Sequence, residues 1–144
     1  MKIFLDTNIC LDLLDTKRPT SLNSIDFYKK NIDNEFYFSG DFITTFYYVM
    51  TERKKYDKKE TIKAIDLLSK RITPIYIEHN DFLNAQIDFF SNFLDDFEDL
   101  IILNSSLRLN CNSFITNDKK LNSLKVFKSL KIIKPWIYSK FPQF

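Results

Sequence analysis

The sequence contains little of what builds linkers, zinc sites or membrane spans. Its 144 residues include one Gly, four Pro, two Cys and one His. Scarce Gly and Pro disfavour a flexible linker, so we expect one domain over residues 1–144. Cys10 and Cys111 form no CxxC pair and His79 has no second histidine, which disfavours a zinc site and His-dependent hydrolysis. No apolar run approaches the roughly 20 residues of a membrane span, and Asp6 interrupts the first one, so we expect a cytoplasmic protein without a signal peptide.

Charge is unevenly distributed, although the formal net charge of +2 is too small to indicate a nucleic-acid partner by itself. Residues 72–107 contain no Lys or Arg but seven Asp or Glu, whereas only basic charged residues follow Asp118. If the acids lie at the base of a cleft and the lysines at its rim, this pattern suits a polyanion held over metal ions. A solvated surface is the alternative.

Short hydrophobic strands alternate with amphipathic helices along the chain. Unbroken apolar runs predict strands at residues 3–5, 36–38, 75–77, 113–116 and 131–133. Helical periodicity predicts helices at residues 9–15, 22–31, 42–55, 59–70, 82–93 and 96–109. This alternation predicts an α/β fold of three layers, in which helices flank a central, mostly parallel sheet of four to five strands.

Three aspartates are expected to meet at one edge of this sheet. Asp6 and Asp118 follow predicted strands, and ligand sites in such folds form outside the carboxyl ends of the strands. Asp99 lies in the first turn of a helix whose N-terminus should open on the same edge. Carboxylates brought within a few ångströms cannot all stay ionised without a cation. Because oxygen ligands suit Mg²⁺ or Mn²⁺, this edge is a candidate metal site.

Three short runs that contain these acids resemble a known family. The runs are Leu5-Asp6-Thr7-Asn8-Ile9, Asp96-Phe97-Glu98-Asp99-Leu100 and Ile115-Thr116-Asn117-Asp118. Their order and spacing resemble the three acidic motifs of PIN-domain nucleases, the fold of VapC-type toxins from bacterial toxin–antitoxin pairs. The resemblance covers nearly the whole chain. It implies a PIN-like fold, an Mg²⁺- or Mn²⁺-dependent endoribonuclease acting on single-stranded or structured RNA, an antitoxin partner and a homodimer.

The resemblance also implies roles for the acids. Asp6, Asp99 and Asp118 would be the metal ligands, and Asp96 would be a fourth acid of the catalytic set. Alternatively, Asp96 is only a helix N-cap. Metal-activated water would attack the phosphodiester in line and leave a 5′-phosphate and a 3′-hydroxyl.

Polar and basic residues beside the acids have two interpretations each. The polar residues of the motifs are Asn8, Thr116 and Asn117. They would orient the acids or contact phosphate, or they would only stabilise the local turns. Lys119 and Lys120, directly after Asp118, would neutralise flanking phosphates or face solvent.

One position departs from the family pattern. PIN domains usually carry a further acid early in the helix after the second strand, where this chain has Thr45. A hydroxyl is a poor replacement for a charged ligand, so the site would bind metal more weakly, hold one ion rather than two, recruit Asp41 or Glu52, or be inactive. We expect Asp41 instead to cap the helix predicted at residue 42 and Glu52 to pair with a lysine. Asp12, in the first helix, is expected to be solvated; the alternative is a contact with a residue that orients the metal ligands.

Two other functions stay open at this point. One is a catalytically weak or inactive PIN-like module that binds RNA or a protein partner, which the residue at position 45 favours. The other is an aspartyl phosphotransfer domain, because an Asp at the end of a first strand also marks that chemistry. The second fits less well, since Asn8 stands where its paired Asp would be.

Overall fold

A computed structural model describes residues 1–135, and residues 136–144 of the predicted domain lie outside the described part. The strands are β1 (Lys2–Leu5), β2 (Glu35–Ser39), β3 (Thr73–Ile75), β4 (Ser113–Ile115), β5 (Val126–Phe127) and β6 (Leu130–Ile133). The α-helices are α1 (Thr7–Leu14), α2 (Ser21–Lys30), α3 (Ile43–Tyr48), α4 (Lys58–Arg71), α5 (His79–Phe90), α6 (Phe97–Arg108) and α7 (Lys119–Leu124). Within residues 1–135, no helix has the length and apolar character needed to cross a membrane.

The strands form one sheet in the order β3-β2-β1-β4-β6-β5. All neighbouring strands are parallel except β5 and β6, which form an antiparallel hairpin. The predicted mostly parallel sheet is confirmed, but within residues 1–135 it has six strands rather than four to five. The sequence pattern missed β5 because its two residues are too few to show any periodicity. Leu5 lies beside Ile115, so the residues that follow β1 and β4 emerge at the same edge of the sheet.

The two faces of the sheet bury separate cores, which confirms the three predicted layers. In β1, Ile3 and Leu5 belong to a core formed with α1 to α4, whereas Phe4 belongs to a core formed with α5, α6 and α7. This is the alternation of side chains that a strand imposes. The rings of Phe4 and Phe114 stack on neighbouring strands with centroids 5.3 Å apart. The central strands are apolar on both sides because helices cover both faces.

Several predicted elements have different limits in the structure; for example, α5 covers His79–Phe90 rather than residues 82–93. β3 covers Thr73–Ile75 rather than residues 75–77 and includes Pro74, which an edge strand tolerates because only one of its sides is paired. The helix predicted at residues 42–55 is divided into a 3₁₀ turn at Gly40–Phe42, α3, and a π-helical turn at Val49–Arg53. Aromatic and β-branched residues of modest helix propensity dominate this stretch, which is consistent with its changing helical winding.

Candidate active site

Asp6 follows β1 and caps α1. Its Oδ1 accepts a hydrogen bond from the backbone N–H of Thr7 at 2.8 Å. Its own backbone N–H donates to the carbonyl oxygen of Ile115 at 2.9 Å, which extends the pairing of β1 with β4 by one residue. The sheet itself therefore sets the position of Asp6. Burial raises the pKa of the Asp6 carboxyl, and the negative charge of Asp118 adds to this effect.

Polar side chains of the first and third motifs hold the other oxygen of Asp6. Its Oδ2 accepts hydrogen bonds from Thr116 Oγ1 at 2.7 Å and from Asn8 Nδ2 at 3.2 Å. Thr116 is fully buried, and its Oγ1 also accepts from the backbone N–H of Asp118 at 3.0 Å. The backbone N–H of Asn117 donates to Asn8 Oδ1 at 3.1 Å. These contacts place the polar motif residues against the acids, whereas a contact with phosphate stays a prediction.

Asp118 and Asp96 each cap a helix. Asp118 Oδ1 accepts from the backbone N–H groups of Lys120 at 2.8 Å and Leu121 at 3.2 Å, at the start of α7. Asp96 Oδ1 accepts from the backbone N–H of Asp99 at 3.2 Å, at the start of α6. The predicted N-cap at Asp96 is confirmed. The cap also holds the Asp96 carboxylate beside the helical turn that contains Asp99.

Asp99 is the acid whose pKa is affected by the largest number of other acids. Its side chain is half-buried in the first turn of α6. The pKa of Asp99 is raised from 3.8 to about 7, first by burial and then by the negative charges of four other acids, which are, in order of importance, Asp96, Asp6, Asp118 and Glu98. Within residues 1–135, no hydrogen-bond donor or cation offsets these effects on the Asp99 carboxylate. Acids from all three motifs therefore interact electrostatically at this edge of the sheet.

The donor groups at this edge fit a hard divalent cation only in part. A bound cation would offset the negative charges that contribute to the raised pKa of Asp6 and of Asp99. Among residues 1–135, however, no group of three Asp, Glu, His or Cys side chains could hold a metal ion. The arrangement therefore suits an ion such as Mg²⁺, which is usually held by one or two carboxylates and completes its shell with water and phosphate oxygens.

Lys120, rather than Lys119, interacts with the acids of the site. The Nζ of Lys120 pairs with Asp95 at 2.8 Å. This hydrogen bond raises the pKa of Lys120, and the charges of Asp95, Asp96 and Asp118 raise it further. Lys119 is exposed in the first turn of α7, so its predicted contact with phosphate stays a prediction.

The position of the missing family acid, Thr45, is exposed on α3. The prediction that Asp41 caps this helix is wrong, because a 3₁₀ turn precedes α3 and contains Asp41. The Asp41 carboxylate instead accepts a hydrogen bond from the backbone N–H of Ile77 at 2.9 Å, which joins the segments that follow β2 and β3. Glu52 is exposed, and no lysine within residues 1–135 forms the predicted ion pair with it.

Asp12 is fully buried, contrary to the prediction that it is solvated. Its carboxylate accepts hydrogen bonds from four side chains, those of Arg18, Thr20, Ser24 and Asn117. The sequence signal that could have indicated its burial is its spacing of three residues from Ile9, which places both on one side of α1. Asp12 therefore joins the candidate site through Asn117.

The acidic stretch at residues 72–107 does not form a single acidic surface. Asp81 and Asp88 are buried and pair with Arg108 at 3.1 Å and with Lys128 at 3.0 Å, respectively. The hypothesis that the whole stretch forms the base of a cleft is therefore wrong. Its last members, near the start of α6, are the ones that reach the candidate site.

Three solved structures share the fold of this chain. VapBC2 from Rickettsia felis, bound to a DNA fragment from its promoter, has a TM-score of 0.66 and 20% identity over 93% of this chain and 98% of that chain. VapBC-1 from nontypeable Haemophilus influenzae has a TM-score of 0.65 and 21% identity over 94% and 99% of the two chains. VapC20 from Mycobacterium tuberculosis, a sarcin-ricin loop cleaving toxin, has a TM-score of 0.67 and 12% identity over 90% and 98%.

Sequence comparison identifies the family directly. No curated protein matches the chain. The family model of the PIN domain matches residues 3–126, a span that begins in β1, ends in β5 and includes all three acidic motifs. Since this match covers well over half of the sequence and the whole candidate site, the chain belongs to the PIN domain family.

Proposed function

We propose that this chain is an Mg²⁺- or Mn²⁺-dependent endoribonuclease, the toxin of a toxin–antitoxin pair, and that it acts in the cytoplasm. The observation that carries the proposal is the Asp99 carboxylate, whose pKa is raised to about 7 by burial and by neighbouring acids. A cluster of acids that stay close together despite the repulsion between their negative charges is typical of a functional site that binds a cation. Membership of the PIN domain family supports nuclease chemistry at this cluster.

In this proposal Asp6, Asp99 and Asp118 hold the ion, one or two of them directly and the rest through its bound waters. When bound, the metal would lower the pKa of a coordinated water and stabilise negative charge on the phosphorane-like transition state. Thr116 and Asn8 hold Asp6 Oδ2 by hydrogen bonds and so orient its carboxylate. In-line attack would leave a 5′-phosphate and a 3′-hydroxyl.

RNA as the substrate is supported by two observations. The similar structure VapC20 is a toxin that cleaves the sarcin-ricin loop. On this chain, Lys120 stands beside the acidic cluster and is paired with the exposed Asp95, so a phosphate group could take the place of Asp95. Lys119 lies next to it at the start of α7 and would contact a flanking phosphate.

An antitoxin partner is supported by the similar VapBC structures and by an apolar groove on this chain. The groove has a volume of about 420 Å³ and lies between α1, α2 and α4; its lining includes Leu13, Ile25 and Leu67, together with Lys29 and Arg71. Apolar lining with basic side chains suits an apolar antitoxin segment that carries acidic residues. The variant Leu67→Glu should therefore weaken binding of a co-expressed antitoxin while leaving cleavage unchanged.

Self-association is proposed through α5. Leu83, Ile87 and Phe90 are spaced along one side of this helix and are 40%, 64% and 77% exposed, respectively. An exposed apolar stripe of this kind marks an interaction surface. Light scattering should give the mass of a dimer for the full chain and a lower mass for Ile87→Glu.

Cleavage of labelled RNA by the full chain tests the proposed activity. We expect cleavage in Mg²⁺ or Mn²⁺, none in EDTA, and a loss of about a thousandfold or more in Asp6→Asn and Asp99→Asn. Glu98→Gln is the matched control, because it removes a negative charge from the same turn of α6 but from an exposed residue with the smallest effect on Asp99. Cleavage that persists in EDTA or in Asp99→Asn would contradict the proposal.

A second candidate function is a weak or inactive PIN-like module that binds RNA or protein. It is favoured by Thr45, which stands where an acid is expected, and by the lack of a three-ligand set among residues 1–135. An RNA complex that forms in a mobility-shift assay but is not cleaved at any Mn²⁺ concentration would favour this function over the nuclease.

A further inference from the structure

We propose that Asp12 is a positioning residue of the candidate active site. Its buried carboxylate holds the side-chain amide of Asn117, and through Asn117 and Asn8 it sets the orientation of the Asp6 carboxylate. The expected effect on metal binding rests on the proposed function. The hydrogen-bond network itself rests on the observed contacts.

Each carboxylate oxygen of Asp12 has two hydrogen-bond donors. Oδ1 accepts from Arg18 Nε and from Thr20 Oγ1, both at 2.7 Å. Oδ2 accepts from Ser24 Oγ at 2.5 Å and from Asn117 Nδ2 at 3.0 Å. Since the carboxylate is fully buried and paired with a guanidinium, these bonds are charge-assisted and shielded from water. Asp12 is therefore a fixed acceptor for Asn117.

The charge of Asp12 decides how the Asn117 amide is oriented, and the backbone of Asn117 in turn decides how the Asn8 amide is oriented. A carboxylate only accepts hydrogen bonds, so Asn117 must turn its Nδ2 toward Asp12. The backbone N–H of Asn117 occupies Asn8 Oδ1, which leaves Asn8 Nδ2 to donate to Asp6 Oδ2 and to Thr116 Oγ1, both at 3.2 Å. If Asn8 turned over, its carbonyl oxygen would face the Asp6 carboxylate without a hydrogen bond between them, and Asp6 Oδ2 would keep only Thr116 as a donor. The hydrogen-bond network that connects Asp12 to Asp6 thus has one favoured arrangement.

A purely structural role would not require the bond to Asn117. Arg18 and Thr20 lie between α1 and α2, and Ser24 lies in α2, so these three side chains suffice to join the two helices. The fourth bond crosses to the loop after β4, directly before Asp118. It connects the α1–α2 hairpin to the loop that carries a candidate metal ligand.

Two alanine variants separate positioning from packing. Asn117→Ala and Ser24→Ala each remove one donor from Asp12 Oδ2, but only Asn117→Ala breaks the link to the site. We expect Mn²⁺ alone, titrated into the full chain and followed by electron paramagnetic resonance, to bind about tenfold more weakly to Asn117→Ala and with unchanged affinity to Ser24→Ala. Equal affinities of the two variants would overturn the proposal.

A double-mutant cycle tests Asp12 itself. Asp12→Asn should weaken Mn²⁺ binding in the wild-type background and add nothing in the Asn117→Ala background, because both changes interrupt the same chain of contacts. Additive losses would overturn the proposal. If Asp12→Asn does not fold, the comparison of Asn117→Ala with Ser24→Ala still decides it.

A measurement without metal distinguishes this proposal from the proposed function. The side-chain amide protons of Asn8, observed by NMR, should exchange faster with solvent in Asn117→Ala than in Ser24→Ala or the wild type. Unchanged exchange in Asn117→Ala would overturn the positioning role whatever the protein's activity. Wild-type protein that binds no Mn²⁺ but shows the expected exchange pattern would refute the nuclease and support the positioning role.

Discussion

Asp12 and Asp99 are two helical carboxylates in opposite environments. Asp12 is fully buried and accepts four hydrogen bonds, one of them from Arg18. Asp99 is only half-buried, yet burial together with the charges of neighbouring acids raises its pKa to about 7, and no donor compensates it within residues 1–135. Burial by itself therefore does not identify the candidate metal ligand. The compensated carboxylate organises the fold, and the uncompensated one is available to a cation.

The largest expected effect is the opposite response of these two acids to the same substitution. Asp12→Asn should lower the free energy of unfolding by about 3 kcal/mol, because Arg18 loses its charged partner in a buried setting. Asp99→Asn should raise it by about 1 kcal/mol, because it removes charge repulsion that solvent partly screens. Urea unfolding in EDTA at slightly alkaline pH measures both. Changes of the same sign in the free energy of unfolding would contradict the contrast between the two acids.

The pH dependence of stability should show the same contrast. Since the pKa of Asp99 is raised from 3.8 to about 7 by folding, the native state holds a proton that the unfolded state has already lost between these values. The free energy of unfolding of the metal-free protein should therefore fall by about 1–2 kcal/mol as the pH rises from about 4 through about 7. This figure allows for the screening of a half-buried group by solvent. Asp99→Asn should flatten this part of the profile, and an unchanged profile would contradict the assignment.

A smaller effect is expected from restoring the family acid at position 45. Thr45→Glu should tighten Mn²⁺ binding by about tenfold if the exposed side chain on α3 faces the acidic cluster, because it adds a charged oxygen ligand. Thr44→Glu is the matched control, since it adds the same charge at the neighbouring exposed position, about 100° away around the helix. Equal tightening in the two variants would indicate a general charge effect rather than a ligand.

Much of the fold and part of the site could be predicted from local patterns. Apolar runs located β1 and β4, and the rule for carboxyl ends of parallel strands then placed Asp6 and Asp118 at one edge. Asp96 carried an N-cap signal that the structure confirms. The short strand β5 and the changing helix type at residues 40–53 were missed, because too few residues or competing propensities left no clear period.

The wrong predictions about the surroundings of several acids have a common physical cause. Asp12 was expected in solvent and Asp41 at a helix cap, but both bind donors that are distant in the sequence. Asp81 and Asp88 belong to buried ion pairs rather than to a cleft. A carboxylate's surroundings depend on which other segments pack against it, and no local pattern records this.

The sequence by itself determined the α/β class, the parallel sheet and the edge at which the acidic motifs meet, because these follow from periodicity and from the order of strands and helices. Only the tertiary structure decided which acids are compensated. Asn117 reaches Asp12 across 105 positions of the chain, and the charges of Asp6 and Asp118 reach Asp99 from two other segments. Hydrogen bonds and electrostatic effects act through space, so the partners of a carboxylate are known only when the chain is folded.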